Sequence, residues 1–488
     1  MIAFTAAEIA DITKGRLDAD PGITPLSVVT DSREAAQGSL YVAKPGEYAD
    51  GHDFIADAFA AGATLALVER PIAGPDGAPY PSIVVPDAVL AMGALAAEAV
   101  RRIRAARAAA NGELTVIGIT GSAGKTTTKD LLAGIFSLHG NTVAPRGSYN
   151  GEIGVPLTVF TAGTDTRYLV IEMGATGVGH ISYLADMVKP DIGVVLGVGT
   201  AHAGEFGGVD NIALAKGELV EALAASGTAV INLDDDRVAA MRARTSASVV
   251  GFSAEGRPDA AVQALNADTN TDGNPEFDLL LPGEDTPHHV RSRLIGAHHT
   301  GNLLAAAAAA RAAGISGADI SAALSSQAAA SRWRMERTER ADGVTIINDA
   351  YNANPESMRA ALRTLADLGQ GRRTWAVLGA MLELGEDSIR EHTAVGTQVV
   401  RLNISRLVVV GREARALYVS AVQEGSWGDE CVFAETADEA YELLNAELEP
   451  GDLVLFKSSN SVGLRHLGDR IALPRQTPQP ADERSTLL

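Results

Sequence analysis

The run Gly118-Ile-Thr-Gly121-Ser122-Ala123-Gly124-Lys125-Thr126-Thr127-Thr128 limits the fold most, because it joins an apolar β-type segment to an apolar-periodic helix through a glycine-rich turn. Residues 114–119 read as a buried strand, and Leu131, Leu132 and Ile135 recur beyond at helical spacing. Such a turn aims backbone N–H groups at phosphate oxygens, and the helix N-terminus adds a favourable dipole. Lys125 supplies a point charge for the β- and γ-phosphates, and the Thr126 hydroxyl suits Mg²⁺. The pattern departs from G-x-x-x-x-G-K-[ST] once: Ile119 stands where glycine is expected, with glycines at 118 and 121 instead. A turn without a ligand is the bland alternative. Strand, turn, Lys-Thr and helix in that order point instead to a bound ATP or GTP.

The 488 residues suggest about three domains by length. A net charge of −21 argues against a nucleic-acid partner. Cys431 is the one cysteine, so an internal disulfide and a cysteine-rich metal site are excluded, and a buried inert thiol is expected. The first residues lack the basic and apolar regions of a signal peptide, and no run of 18 apolar residues occurs, so a cytoplasmic protein without a membrane span is expected. Residues 303–313 are alanine-rich but include Arg311, and read as a packed helix.

Residues 1–86 alternate short helical and strand-like segments, and a helix over about 89–110 leads to Asn111-Gly112. Strands are expected at 168–173, 192–196 and 228–232, separated by helices, which argues for a mostly parallel sheet with helices on both faces. Residues 254–292 look like a strand-and-loop insertion. A further α/β unit has candidate strands at 344–348, 374–378, 407–410, 431–434 and 453–456, with helices at 355–368 and 438–448. From about 473 the chain reads as a disordered tail. The expected division is 1–86, 87–338 and 339–488.

Four further places carry chemistry. Glu172 closes the strand-like Val170-Ile-Glu172-Met-Gly174, at the sheet edge where ligands bind, and reads as a Mg²⁺ ligand or a helix cap. His202, in Gly199-Thr-Ala-His202-Ala-Gly204, reads as a metal ligand, a phosphate donor or a structural histidine. Lys216 on the next helix reads, taken alone, as solvated. In Asp349-Ala-Tyr351-Asn352-Ala-Asn354-Pro355, capping accounts for Asn354 and Pro355 but not for Asp349, Tyr351 and Asn352.

Together these segments resemble the Mur ligases, the ATP-dependent amino-acid and peptide ligases of cell-wall precursor synthesis. The likeness runs from Thr30-Asp31-Ser32-Arg33 to Gly463-Leu-Arg465, and the family's G-x-T-G-x-x-G-K-T loop accounts for Ile119. Gly46-Glu-Tyr-Ala-Asp50-Gly-His52-Asp-Phe54, the 349–355 string and Leu378-Gly-Ala-Met-Leu-Glu383-Leu-Gly-Glu386 resemble the members that add a dipeptide. The D-N-P-R string of diaminopimelate-adding members is absent.

The resemblance implies three α/β domains: a small N-terminal domain for the UDP end, a central ATPase and a C-terminal Rossmann-like domain. It implies ligation of D-alanyl-D-alanine to UDP-N-acetylmuramoyl-tripeptide through an acyl phosphate. Nothing in the sequence demands more than a monomer. By that resemblance Ser32 and Arg33 lie near the UDP-sugar, with Asn150 and Glu152 lining the site between the first two domains. Tyr351, Asn352 and Asn354 fall on the substrate side. Gly121 to Thr127, with Asn302, Arg332 and Asp349, meet the nucleotide. Thr126 and Glu172 hold one Mg²⁺, His202 and a carbamylated Lys216 lie near a second, and Lys457 reaches the reacting phosphate. Closure of the third domain is expected to exclude water. His299, Ser331, Gly151 and Asn460 depart from the family pattern, and Arg465 offers a cation in place of the one missing at 460. The alternatives are another amide ligase of the superfamily, adding lysine, diaminopimelate or glutamate, and a non-catalytic nucleotide-binding partner.

Overall fold

The structure, a computed structural model, describes residues 1–46, 49–74, 77–199, 206–425 and 430–473. The expected tail from 474 onward and His202 lie outside the described residues. The chain forms two compact units, residues 1–270 with 274–331, and residues 271–273 with 332–488.

In the first unit, a five-stranded sheet runs in the order Arg16–Asp18, Ser82–Val84, Leu65–Val68, Ser39–Val42, Ser27–Val29. Its first pair is antiparallel and the others are parallel. Side chains alternate between faces with period two. Leu40, Val42, Leu65, Leu67 and Ile83 therefore enter one apolar cluster, while Tyr41, Ala66 and Val68 enter another on the opposite face. Covering both faces is what a parallel sheet requires.

The helix Ala88–Ala109 begins at Asp87, whose carboxylate accepts from the Leu90 N–H. Its buried stripe of Met92, Leu95, Ala96, Ala99, Val100 and Ile103 belongs to the same cluster as Leu40 and Leu65, and as Leu169 and Ile171 of the next sheet. The core thus runs without a break from the first sheet to the second. Each fully buried leucine or isoleucine stabilises it by roughly 1.5–3 kcal/mol. Gly93 is required by close approach: a Cβ there would stand 2.1 Å from the Tyr183 hydroxyl on helix His180–Val188.

The nine-stranded sheet runs His288–Arg291, Pro275–Leu280, Val262–Thr269, Ser248–Ser253, Thr228–Asn232, Ile192–Val195, Thr115–Thr120, Tyr168–Glu172, Thr142–Val143. Pairs from Thr142–Val143 through Val262–Thr269 are parallel, and the last two are antiparallel. Residues 254–292 are therefore not an inserted excursion but the edge of this sheet. The buried alternation of Phe277 and Leu279, with Val290 across from them, marked them as sheet. Helix His299–Ala312 is buried through Ala305 to Ala310 and packs on this sheet and on helix Lys125–Ser137, an approach that small side chains permit.

The second unit holds a six-stranded sheet in the order Glu336–Glu339, Thr345–Asn348, Leu453–Lys457, Thr374–Leu378, Arg406–Val410, Cys431–Ala434. Only the Glu336–Glu339 pairing is antiparallel. The sequence left that edge strand unread, because Glu-Arg-Thr-Glu has no apolar alternation. Cys431 is buried, and burial pushes its thiol up to about 12.

Candidate active site

Strand Thr115–Thr120 sits between Tyr168–Glu172 and Ile192–Val195, so chain order reverses beside it. Ligands bind at such switch points, beyond the carboxyl ends of the strands. The glycine-rich turn lies at that end. Ile119 is fully buried and belongs to the strand, which places the turn after Thr120. Gly118 is a packing glycine, since a Cβ there would press on Leu219 and Met173. Gly124 has φ 82°, and a Cβ would lie 2.2 Å from Asn302 Oδ1. It begins helix Lys125–Ser137, as a phosphate loop demands.

Around this turn the structure gathers several predicted residues. Lys125 Nζ donates to the Gly121 carbonyl at 2.7 Å. The Thr126 hydroxyl donates to Glu172 Oε2 at 3.0 Å. Glu172 is fully buried, and its Oε1 accepts from Ser148 Oγ at 2.6 Å and Asn150 Nδ2 at 2.8 Å. It ends a strand and caps no helix, which removes the capping alternative. Gly174 donates its N–H to the Asn150 carbonyl, and a Cβ at 174 would strike the Asn150 amide. Ser122 bonds Gly197 and Gly199 on the neighbouring loop, and Val198 N–H donates to Asp235 at 2.7 Å. Ala123 is exposed and Thr127 half-buried. Glu152 is exposed beyond Asn150.

Lys216 is a correction. It is only 5 % exposed rather than solvated, because its helix Val209–Glu221 turns that face toward the sheet. Burial, with the Lys125 charge added, brings its pKa down to about 7. Two residues on, Glu218 accepts from Gly179 N–H and Ser182 N–H, and so caps helix His180–Val188.

Asn302 lies on the first turn of helix His299–Ala312, against Gly124, and pairs with His299 Nδ1 at 3.1 Å. His299 is buried, and burial holds its imidazole neutral, well below the usual range. Nδ1 then accepts from the Asn302 amide, as an asparagine carbonyl at 299 would. Gly151 has open space where a Cβ would go. Ser331 donates its N–H to Asp130.

In the N-terminal sheet, Ser32 and Arg33 lie in the short turn Ser32–Glu34, and Arg33 grips Asp31 at 2.6 Å. The guanidinium lowers that carboxyl to about 2. His52 is buried with Nδ1 2.6 Å from Asp50 and Nε2 accepting from Glu69 N–H, so this part of the 46–54 string is a structural clamp.

In the second unit, Asp349 follows strand Thr345–Asn348, Lys457 ends the adjacent strand Leu453–Lys457, and the two meet at 2.6 Å. Lys457 Nζ also donates to the Asn352 carbonyl at 3.0 Å, and Asp349 Oδ1 accepts from Met335 N–H. Lys457 is 2 % exposed; burial lowers its pKa while Asp349 raises it. Asn354 caps helix Pro355–Leu368 in a reciprocal box with Ser357, as the sequence indicated. Tyr351 packs under the Arg334 guanidinium at 4.4 Å. Arg332 pairs with Asp469 at 2.9 Å. Arg465 bonds the carbonyl and side chain of Asn460 and lies over Trp333, which brings a cation beside position 460.

Sequence reasoning missed Ser148, Glu218, Asp235 and Lys129. Only Asp235 carried a signal, in the acidic string after the strand Thr228–Asn232.

A phosphate loop at the switch point of a mostly parallel sheet defines a P-loop nucleotide-binding fold. Residues 119–310 match the Mur ligase middle domain, 333–460 the Mur ligase glutamate ligase domain, and 27–108 the Mur ligase family catalytic domain. The UDP-N-acetylmuramoyl-tripeptide–D-alanyl-D-alanine ligase of Mycobacterium tuberculosis is 44% identical, covering 96% of this chain and 98% of its own. The Escherichia coli enzyme of that name is 33% identical over 86% and 88%. A crystal structure of MurF from Acinetobacter baumannii superposes with a TM-score of 0.84 at 33% identity, covering 96% and 99%. One of MurF from Thermotoga maritima, in complex with ADP, gives 0.76 at 26%, covering 91% and 97%. The chain belongs to the Mur ligase family.

Proposed function

We propose that this chain joins D-alanyl-D-alanine to UDP-N-acetylmuramoyl-tripeptide, consuming ATP and giving the pentapeptide, ADP and phosphate. The observation that carries this reading is the 44% identity to the Mycobacterium tuberculosis ligase, spanning 96% of this chain and 98% of that one. The ADP complex of the Thermotoga maritima relative supports ATP as the nucleotide. Among the described residues no helix is long and apolar enough to cross a membrane.

A carboxylate resists attack by an amine because oxide is a very poor leaving group. The tripeptide carboxylate therefore attacks the γ-phosphorus, its oxygen bonding to phosphorus as the bond to ADP breaks. The dipeptide amine then adds to the acyl carbon, phosphate departs, and the nitrogen loses a proton. Both phosphoryl-transfer partners are anionic. Lys125 supplies charge at the transferring group, and the loop N–H groups hold the phosphates still. Lys457 and Asp349, with Asn302 and Arg332, are proposed to serve the nucleotide. Ser32, Arg33, Asn150, Glu152, Tyr351, Asn352 and Asn354 are proposed to serve the sugar-peptide.

The Thr126 hydroxyl and Glu172 carboxylate are hard oxygen donors 3.0 Å apart, a set that fits Mg²⁺. Among the described residues no cluster of three or more His, Cys, Asp or Glu would hold a metal unaided, which suits an ion that completes its shell with phosphate and water. When bound, Mg²⁺ neutralises charge on the phosphates. Lys216, whose pKa is brought down to about 7 by burial, has a substantial share of free amine near pH 7 and is suited to add to CO₂, forming an N–C bond and releasing a proton to give a carbamate. His202 completes the proposed second metal position. Incubation with ¹³CO₂ should give a carbamate ¹³C resonance that Lys216→Arg lacks; a resonance retained in that variant removes Lys216 from the role.

The assay that tests the reading is phosphate release from ATP with Mg²⁺ and UDP-N-acetylmuramoyl-tripeptide. Release should require D-alanyl-D-alanine. Release with a single amino acid instead would assign a sister ligase, and ATP binding without any release would assign a non-catalytic partner.

A further inference from the structure

Lys129 lies one helical turn beyond Lys125 and carries a charge that no step above uses. It is 3 % exposed, a rare state for lysine, and it faces the interior rather than the phosphate loop. Its Nζ is fully engaged: 2.5 Å from Asp130, 3.1 Å from the Pro145 carbonyl and 3.3 Å from the Gly147 carbonyl. Those carbonyls belong to a turn in which Gly147 takes φ 60°. Ser148 and Asn150 follow directly, and both donate to Glu172 Oε1, whose other oxygen meets Thr126. Thr126 is itself on the helix of Lys129. A closed loop results: helix, Lys129, turn, Ser148 and Asn150, Glu172, Thr126, and helix again.

We propose that Lys129 is a positioning residue, which pins the 145–147 turn to the phosphate-loop helix so that Ser148 and Asn150 fix the Glu172 carboxylate beside Thr126. The inference rests on the reading of Glu172 as a Mg²⁺ ligand. Glu172 has no cation of its own to orient it among these contacts. Its rotamer is set by hydrogen bonds from a short irregular segment, and such a segment holds a fixed path only where its backbone is tied down. Lys129 provides that tie with two carbonyl acceptors two residues apart, which a neutral side chain of similar length does not reproduce. Partners behind metal-ligating carboxylates commonly change metal affinity by about 10–100-fold when removed.

The test uses Mn²⁺ as the probe ion, titrated by electron paramagnetic resonance into the full chain with ADP. Wild type and Glu172→Gln establish whether Glu172 binds the ion; equal affinity in those two overturns the metal reading itself, independently of Lys129. Given that difference, Lys129→Met should weaken Mn²⁺ binding by about 10-fold or more while ADP affinity without metal stays within about 3-fold. Ser148→Ala should do the same to a smaller degree. The double variant should lose less than the product of the two single losses, because both act through one carboxylate. Strictly multiplicative losses, or Mn²⁺ affinity unchanged in Lys129→Met, would overturn the proposal. Should Lys129→Met fail to fold, Ser148→Ala decides alone, with unchanged Mn²⁺ affinity as the refuting result.

Discussion

Lys125→Ala is expected to lower kcat by about 10²–10³-fold or more, the loss typical of a single preorganised group facing developing charge. The side chain already turns back over the loop, with Nζ 2.7 Å from the Gly121 carbonyl, so it hovers above the cradle without distorting the backbone. Its removal should leave the fold intact. Unchanged circular dichroism with lost turnover is therefore the expected pair of results, measured as ATP-dependent ligation of the dipeptide. A variant within about 3-fold of wild type in kcat would show that the phosphoryl step does not depend on the Lys125 charge. Lys125 also contributes to holding down the pKa of Lys216. Loss of the carbamate signal together with turnover would mean that the two lysines act as one unit.

The second large effect is expected at Asp349 and Lys457, whose 2.6 Å contact is almost closed to water. Breaking a buried pair by removing one partner typically costs about 3–5 kcal/mol, because the remaining charge has nowhere to go. Asp349→Ala and Lys457→Met should each reduce stability by about that amount in urea unfolding, besides abolishing ligation. The double variant should regain a large share, since no buried charge is left over. Double loss equal to the sum of the single losses would show that the two side chains are stabilised separately, Lys457 by the Asn352 carbonyl and Asp349 by Met335 N–H.

Much of this architecture was legible because it rests on patterns local in sequence. The strand-turn-helix at 115–137, the strands Tyr168–Glu172, Ile192–Val195 and Thr228–Asn232, the parallel strands of the six-stranded sheet and the Asn354 cap each declare themselves within a few residues, whereas Thr142–Val143, Ser248–Ser253 and Val262–Thr269 do not. Glu172 could be located at a strand end, but its role could not be separated from capping, since only the fold brings Ser148, Asn150 and Thr126 to its two oxygens. Lys216 misled for a related reason. Lysine on a mixed helix reads as exposed, and burial of one face depends on what packs there. The antiparallel Glu336–Glu339 edge failed to register because charged side chains at a sheet margin carry no alternation. Ile119 is the reverse case: it breaks a generic motif in sequence, yet in three dimensions it is an ordinary core residue of the strand.

The helix Ala88–Ala109 gives the first unit a property that a division by sheets conceals. One stripe of side chains joins a core shared by two sheets, and Gly93 is closed against Tyr183 with no room for a methyl group. The N-terminal sheet is consequently not an interchangeable module. Grafting a homologous sheet from a relative onto this chain requires carrying the helix with it, together with the residues of Gly154–Val159 and His180–Val188 that it touches. The natural unit of exchange, for an engineer or for recombination between genes, is the whole of that packed wall.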